Sequence, residues 1–279
     1  MAGSSSGSDV SRPGSDESGA GRRAVITGGS RGLGLAVARR LAASGWSPTI
    51  CGRDAGALER ARLAAAGDGL ALNTVAADVT CEESVRRMFS RLDADGPVHL
   101  CVSNAGANKP QLLVRRGPEG AVRRHPLSDW EETIRLCLTG VFLTGREAAA
   151  AMVARDVPGV IINISSAVRR GAYGQSAYTS AKAGVDALTR TWALELARYG
   201  IRVLGVAPGV IDGAALRAPR DDGGRHAAYM NSLREHIPLR RWAGDEEIAA
   251  AVCFAADHPY ITGTVLEVDG GGVPEHIRT

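Results

Sequence analysis

The stretch from Arg23 to Ser44 limits the fold more than any other part of this chain. A short apolar run, Arg23 to Thr27, leads into Thr27-Gly28-Gly29-Ser30-Arg31-Gly32-Leu33-Gly34. A helical stretch, Leu33 to Ser44, follows with apolar residues at 3–4 spacing. Glycines at 28, 32 and 34 permit a tight turn and let a ligand approach the backbone. The start of the helix offers unpaired N–H groups and a positive dipole end to a pyrophosphate. A glycine-rich turn alone is a weak signal; one that follows a strand and opens a helix is in the context that gives it meaning. The candidate binding residues here are Gly28, Ser30, Arg31, Gly32, Leu33 and Gly34, against the alternative of a purely structural turn.

The pattern continues in the same alternation. Strands are expected at Pro48–Cys51, Leu70–Ala76, Val98–Ser103, Gly159–Ile164, Ile201–Val206 and Thr264–Val268. Helices are expected at Ala55–Ala66, Glu82–Leu92, Trp130–Ala154, Ala177–Tyr199 and Asp245–Ala256, with a polar loop and helical region before the last of these. Alternating strands and helices imply βαβ units, right-handed crossovers and a parallel sheet covered on both faces. The expected fold is therefore α/β: a single doubly wound domain over residues 22–279, with a parallel sheet of about seven strands. Residues 1–21 are rich in Ser, Gly and Asp and lack the apolar stretch of a secretory signal, so a disordered tail is expected there.

Bulk properties narrow the function by exclusion. A formal net charge of +3 does not favour nucleic acid as a partner. No apolar run approaches membrane-spanning length, so no membrane partner is expected. The five cysteines, Cys51, Cys81, Cys101, Cys137 and Cys253, are far apart and show no metal-ligand spacing. They read as free thiols of a reducing cytoplasm, and no metal is expected.

The chemistry is suggested by Tyr178-Thr179-Ser180-Ala181-Lys182. Of the 33 basic residues only Lys109 and Lys182 are lysines, and the rest are arginines. Lys182 sits one helical turn after Tyr178, so phenol and ammonium share a face. An ammonium is a compact charge able to depress a phenol's pKa, which a broad guanidinium does less well. An accidental pair on a solvated helix face is the bland alternative.

With Asn104-Ala105-Gly106 after the fourth strand, these motifs resemble the signature set of the short-chain dehydrogenase/reductase family. The resemblance covers residues 22 to about 273 and includes Asp78-Val79, Asn163-Ile164-Ser165-Ser166, Pro208-Gly209 and Val268-Asp269-Gly270-Gly271. Within the family, the stretch from Arg241-Trp242-Ala243-Gly244 to Gly272 looks most like 3-oxoacyl-carrier-protein reductases and related ketoreductases. The resemblance implies a Rossmann-type fold, adenine at Asp78-Val79, ribose at Asn104-Ala105-Gly106 and Lys182, and carboxamide on the backbone near Ile211 after Pro208-Gly209. Tyr178 becomes the proton donor, with Lys182 lowering its pKa, and a serine polarises the substrate oxygen. Counting thirteen residues back from Tyr178 gives Ser165, whereas matching the strand gives Ser166. Strand register fixes side-chain direction while loops absorb deletions, so Ser166 is the expected residue.

Strand two ends at Gly52 followed by Arg53, without the acidic residue that would bind a ribose 2′-hydroxyl. Arg53 and Arg31 could instead clamp a 2′-phosphate, so the expected cofactor is NADP(H); two ordinary surface arginines are the alternative. The chain departs from the family in carrying Cys137 in the usual Asn position of Cys137-Leu138-Thr139-Gly140-Val141-Phe142. It also has Gly213 where a Thr is usual, and a long loop with Lys109, Arg115, Arg116, Arg123 and Arg124, to which Arg169 and Arg170 add charge.

The expected function is NADPH-dependent reduction of a β-ketoacyl thioester or polyketide-like ketone. Alternatives are a secondary-alcohol dehydrogenase on a sugar- or steroid-like substrate and a non-catalytic NADP(H)-binding redox sensor. Expected partners are a small-molecule or carrier-bound ketone and further copies of the chain in a homodimer or homotetramer.

Overall fold

The computed structural model describes residues 21–117, 120–213 and 225–272, with the backbone alone over 225–230. Seven parallel strands form one sheet in the order β3-β2-β1-β4-β7-β8-β9. These are β1 (Arg23–Thr27), β2 (Ser47–Gly52), β3 (Asn73–Ala76), β4 (Leu100–Ser103), β7 (Val160–Ile164), β8 (Arg202–Pro208) and β9 (Val265–Val268). The expected α/β sheet is present. The tail expected over 1–21 falls almost wholly outside the described residues; Gly21, which is described, forms a turn into β1.

Both faces of the sheet are covered, so its strands are apolar on both sides. Ala24 and Ile26 of β1, Leu100 and Val102 of β4, and Ile162 and Ile164 of β7 face α1 (Gly32–Ala43), α2 (Ala55–Gly67) and α8 (Asp245–Asp257). The alternate residues Val25, Cys101 and Ile161 face α3 (Glu82–Ala94), α5 (Gly140–Ala154) and α6 (Ser176–Leu196). Each fully buried isoleucine contributes about 1.5–3 kcal/mol relative to exposure. Asp54 caps α2 by accepting from the Ala57 N–H at 2.9 Å, as the sequence suggests.

After β3 the chain returns to the other side of β1, so the order reverses between β1 and β4. The C-terminal ends of these two strands open a crevice, the place where open α/β sheets bind ligands. The glycine loop and Asn104 lie there.

Three differences from the sequence reading stand out. Strand β3 is shorter than Leu70–Ala76, because only Asn73–Ala76 finds partners on β2. The loop before Trp130 contains an antiparallel hairpin of β5 (Val114–Arg116) and β6 (Val122–Arg124), paired Arg115 to Arg123. The helix read as Trp130–Ala154 is α4 (Leu127–Ile134), a π-helical turn (Arg135–Thr139) and α5 in continuity. A further helix, α7 (Arg225–His236), precedes α8.

That continuous helix corrects the expectation about membrane-length segments. Leu127–Ala154 spans 28 residues at a mean hydropathy of 1.3, enough to cross a membrane by length and composition. Here it packs against α3, α6, β4 and β7, and it carries Arg135, Arg146 and Glu147, as a core helix of a folded domain can.

Candidate active site

The glycine loop and the end of β4 are built as one unit. Asn104 Nδ2 donates to the Thr27 and Gly28 carbonyls at 2.9 and 3.2 Å. Thr27 Oγ1 accepts from the Asn104 and Ala105 N–H groups, both at 3.0 Å. Gly28 has φ +66°, a conformation that favours glycine. A Cβ on Gly34 would stand 2.4 Å from the Gly28 carbonyl oxygen and 2.6 Å from Asn104 Nδ2, so no side chain fits there. A Cβ on Gly32 would meet nothing nearer than the Asp245 carboxylate at 3.9 Å. The Arg31 side chain is exposed, Ser30 is half-buried, and the first turn of α1 has no acidic residue and no side-chain cap. The Arg31 side chain therefore leaves the first N–H groups of α1 uncapped, a cradle that fits a dinucleotide's pyrophosphate. Leu33 packs against the core behind the loop.

On the adenosine side, Arg53 lies exposed at the end of β2, within electrostatic reach of Asp78. Burial would raise the Asp78 carboxyl, but hydrogen bonds from Thr80 N and Oγ1 at 2.9 and 2.8 Å, together with the Arg53 charge, hold it below the usual carboxylate range. Val79 packs on α5, where a Cβ on Gly140 would lie 3.1 Å from Val79 Cγ2. A Cβ on Gly52 would make only ordinary contacts, 3.6 Å from Leu58 Cδ2, so packing does not forbid an acidic residue there.

On the nicotinamide side, Pro208 ends β8 and Gly209 passes so close to Asp269 that a Cβ would lie 2.8 Å from its Cα. Ile211 forms an isolated bridge with Ala243. Among the described residues nothing lies within 4 Å of a Cβ built on Gly213, where a Thr is usual.

The reacting side chains converge between the end of β7 and α6. Lys182 is 2% exposed, and its Nζ donates to the Ile164 carbonyl at 2.6 Å. Its Nζ lies 5.6 Å from the Tyr178 ring centroid. The Ser166 hydroxyl lies near enough to the Tyr178 phenol to favour its ionised form, and accepts weakly from Val168 N at 3.4 Å. Ser165, the other candidate, points elsewhere: its hydroxyl donates to Asp186 Oδ1 at 2.5 Å in the protein interior.

Burial governs the electrostatics of the pair. It pushes the Tyr178 phenol up to about 12, with a further rise from Cys137, against the lowering by Ser166. Lys182 is itself pushed below the ordinary lysine value by burial, although Cys137 and Asp186 favour its charge. Two groups sunk in a low-dielectric pocket each disfavour their charged form, and burial outweighs the help of the neighbours Ser166, Cys137 and Asp186.

Cys137 lies in the π-helical turn, the kind of local insertion that often marks functional positions. Its thiol donates to the Ala107 carbonyl at 3.2 Å. A Cβ on Gly106 would sit 3.6 Å from Cys137 Sγ and 3.8 Å from Lys182 Nζ, so Gly106 leaves the space between thiol and ammonium open.

The loop after β4 forms the outer wall. Gln111 N donates to the Gly174 carbonyl at 2.7 Å, and Asn108 Nδ2 to Gln175 Oε1 at 2.9 Å, stitching this loop to the one before α6. The sequence reading grouped Lys109, Arg169 and Arg170 with the hairpin arginines as a basic surface. Three of these are spoken for: Lys109 pairs with Glu132 at 2.5 Å, Arg169 with Asp186 and Glu267, and Arg170 with Glu267.

Comparison with known proteins places the chain. A family model described as Enoyl-(Acyl carrier protein) reductase matches residues 28–272. The chain belongs to the short-chain dehydrogenase/reductase family. It is 36% identical over 252 residues to a mouse 3-oxoacyl-[acyl-carrier-protein] reductase, covering 88% of this chain and 96% of the relative. It is 34% identical over 256 residues to the acetoacetyl-CoA reductase of Allochromatium vinosum, covering 90% and 98%. Its fold matches the crystal structure of a putative gluconate dehydrogenase from Agrobacterium tumefaciens with a TM-score of 0.81 at 32% identity, over 91% and 96% of the two chains. This short-chain dehydrogenase/reductase is thus an oxidoreductase acting on ketone or hydroxyl groups, with a nicotinamide cofactor.

Proposed function

We propose that the protein is an NADPH-dependent ketoreductase that reduces a β-ketoacyl thioester, or a polyketide-like ketone, to the secondary alcohol. The observation that carries this is Ser166 standing within electrostatic reach of the Tyr178 phenol, one helical turn before buried Lys182. The names of the mouse and Allochromatium relatives support the thioester class.

The cradle of Gly28, Ser30, Arg31, Gly32, Leu33 and Gly34 would hold the pyrophosphate, Arg53 and Arg31 the 2′-phosphate, and Asp78-Val79 the adenine. Ala105, Gly106 and Lys182 would hold the ribose, with Asn104 bracing the loop on the Thr27 and Gly28 carbonyls. Backbone near Pro208, Gly209 and Ile211 would hold the carboxamide. When bound, NADPH would supply the hydride.

In the reaction Ser166 donates a hydrogen bond to the substrate carbonyl, drawing electron density onto its oxygen. Tyr178 gives its phenolic proton to that oxygen as the carbon is reduced. Lys182, held on the Ile164 carbonyl, favours the phenolate left behind and is the next group able to return a proton. Cys137 is placed behind Lys182 but is bonded to Ala107, and in this reading it packs rather than relays.

We further propose a cytoplasmic homodimer or homotetramer, for which Phe142 of α5 and Leu194 of α6, 40% and 84% exposed, offer apolar outer surface. A second reading, alcohol oxidation, is favoured by a relative named (3R)-3-hydroxyacyl-CoA dehydrogenase. The test is a substrate panel followed by NADPH absorbance: carrier-bound, coenzyme A-bound and free ketones, the matching alcohols, and an enoyl thioester. Turnover of the ketones supports the proposal. Reduction of the enoyl thioester alone, or tight NADPH binding without any turnover, contradicts it.

A further inference from the structure

A buried ion pair lies directly behind the candidate serine. Arg169, in the 3₁₀ turn Ala167–Arg170, places Nε 2.5 Å from Asp186 Oδ2, and the two side chains are only 8% and 7% exposed. Asp186 stands on the same face of α6 as Tyr178 and Lys182, one further turn along.

The pair closes a ring around the end of β7. Three successive residues are gripped one after another. The Ile164 carbonyl accepts from Lys182 Nζ at 2.6 Å. The Ser165 hydroxyl donates to Asp186 Oδ1 at 2.5 Å. The Ser166 carbonyl accepts from Arg169 NH1 at 3.2 Å. Arg169 NH2 then reaches Glu267 Oε1 on β9 at 2.7 Å, where Arg170 also lands at 2.6 Å. The ring runs from Ser165 through Asp186 and Arg169 to the backbone of Ser166.

We infer that the Asp186–Arg169 pair is a positioning device that fixes the Ser166 hydroxyl against Tyr178. This rests on the reading above, in which Ser166 polarises the substrate carbonyl. Stability alone is a poor account of the pair. Burying two charges costs desolvation that their attraction often only offsets, and apolar residues of similar volume commonly serve as well or better. What apolar residues cannot provide is direction. The fork of Arg169 holds a carboxylate, a backbone carbonyl and a second strand at once, a task for which an ammonium lacks the geometry. Neither side chain touches the reacting atoms, so both act through Ser166 and the turn that carries it.

The experiment compares wild type with Arg169→Lys and with the double variant Asp186→Leu/Arg169→Met, each assayed for kcat and KM with a ketone the wild type turns over. NADPH affinity is measured by fluorescence titration and folding by thermal melting. The double variant is expected to fold and bind NADPH as wild type does, with kcat lower by roughly tenfold to a hundredfold, the scale of a small misplacement of a reacting group. Arg169→Lys leaves Asp186 a cationic partner but removes the side-chain donor to the Ser166 carbonyl, which then keeps only the backbone N–H of residue 169. Its kcat is expected to fall while the NADPH KM stays unchanged, and it carries the test if the double variant does not fold. A kcat within about twofold of wild type in a folded variant overturns the inference and leaves the pair a structural contact. Absence of ketone turnover in the wild type would instead overturn the ketoreductase reading on which the inference stands.

Discussion

The Ser165 hydroxyl and the Asp186 carboxylate lie 2.5 Å apart in the interior, and this contact separates two serines that are neighbours in sequence. It commits Ser165 to the scaffold and leaves Ser166 beside Tyr178. Ser166→Ala is expected to lower kcat by about a hundredfold, the scale of losing one donor to a developing oxyanion. Ser165→Ala is expected to cost less than about tenfold in kcat, because Asp186 keeps Arg169 as partner. Steady-state ketone reduction by the two variants checks the order, and a greater loss in Ser165→Ala reverses the assignment.

Cofactor choice rests on the end of β2. Arg53→Asp is expected to shift the NADPH-to-NADH preference in kcat/KM by roughly tenfold or more, since each charge-assisted hydrogen bond is worth about 1.5–3 kcal/mol. Gly52→Asp is expected to act in the same direction without unfolding the protein, because a Cβ there makes only ordinary contact with Leu58. An unchanged preference in both variants would remove Arg53 from the 2′-phosphate.

The glycine loop gives a steric prediction. Gly34→Ala is expected to abolish NADPH binding in a titration, because its Cβ would collide with the Gly28 carbonyl. At Gly213 a Cβ meets no described residue within 4 Å, and Gly213→Thr is expected to bind NADPH as tightly as the wild type.

Much of this was legible in the chain itself, and the failures have physical causes. The seven strands follow from runs such as Val160–Ile164, buried throughout because both sheet faces are covered. The glycine loop, Tyr178 and Lys182 are readable because their spacing alone puts them on a turn and on one helix face. The hairpin was missed because each arm has only three residues and four of the six are arginines. The repeated Val-Arg-Arg flanking Gly117-Pro118-Glu119-Gly120 was the available signal. The Asp186–Arg169 pair joins residues that no local pattern connects. The raised phenol of Tyr178 follows from burial depth, which spacing does not report.

Cys137 is expected to be a packing residue. Cys137→Ser is expected to leave kcat within about twofold, since a hydroxyl can take over the bond to the Ala107 carbonyl. Alkylating reagents are expected to react slowly with this fully buried thiol. Rapid alkylation that stops turnover, prevented by Cys137→Ser, would restore the sensor reading.

Glu247 and Lys182 make separable contributions to stability against pH. Glu247 accepts from Gly244 N at 2.9 Å and pairs with Arg241 at 2.7 Å; these bonds lower its pKa from 4.5 to about 2. A depressed carboxylate stabilises above its unfolded pKa and loses that contribution as pH falls from 4.5 towards 2. Melting of Glu247→Gln should therefore depend less on pH across that window than melting of the wild type. Lys182 has the opposite sign. Its folded pKa lies below the unfolded 10.5, so the unfolded chain holds more protons and stability rises with pH through that interval. Lys182→Met is expected to melt at least as high as wild type at neutral pH while losing activity.

The most direct test compares wild type with Tyr178→Phe on a β-ketoacyl thioester and NADPH, measuring turnover together with NADPH affinity. The account predicts one NADPH oxidised per ketone reduced by the wild type. It predicts unchanged NADPH affinity in the variant, with turnover lower by about a hundredfold or more, the lower range for losing a positioned general acid. Equal turnover in the two proteins would contradict it.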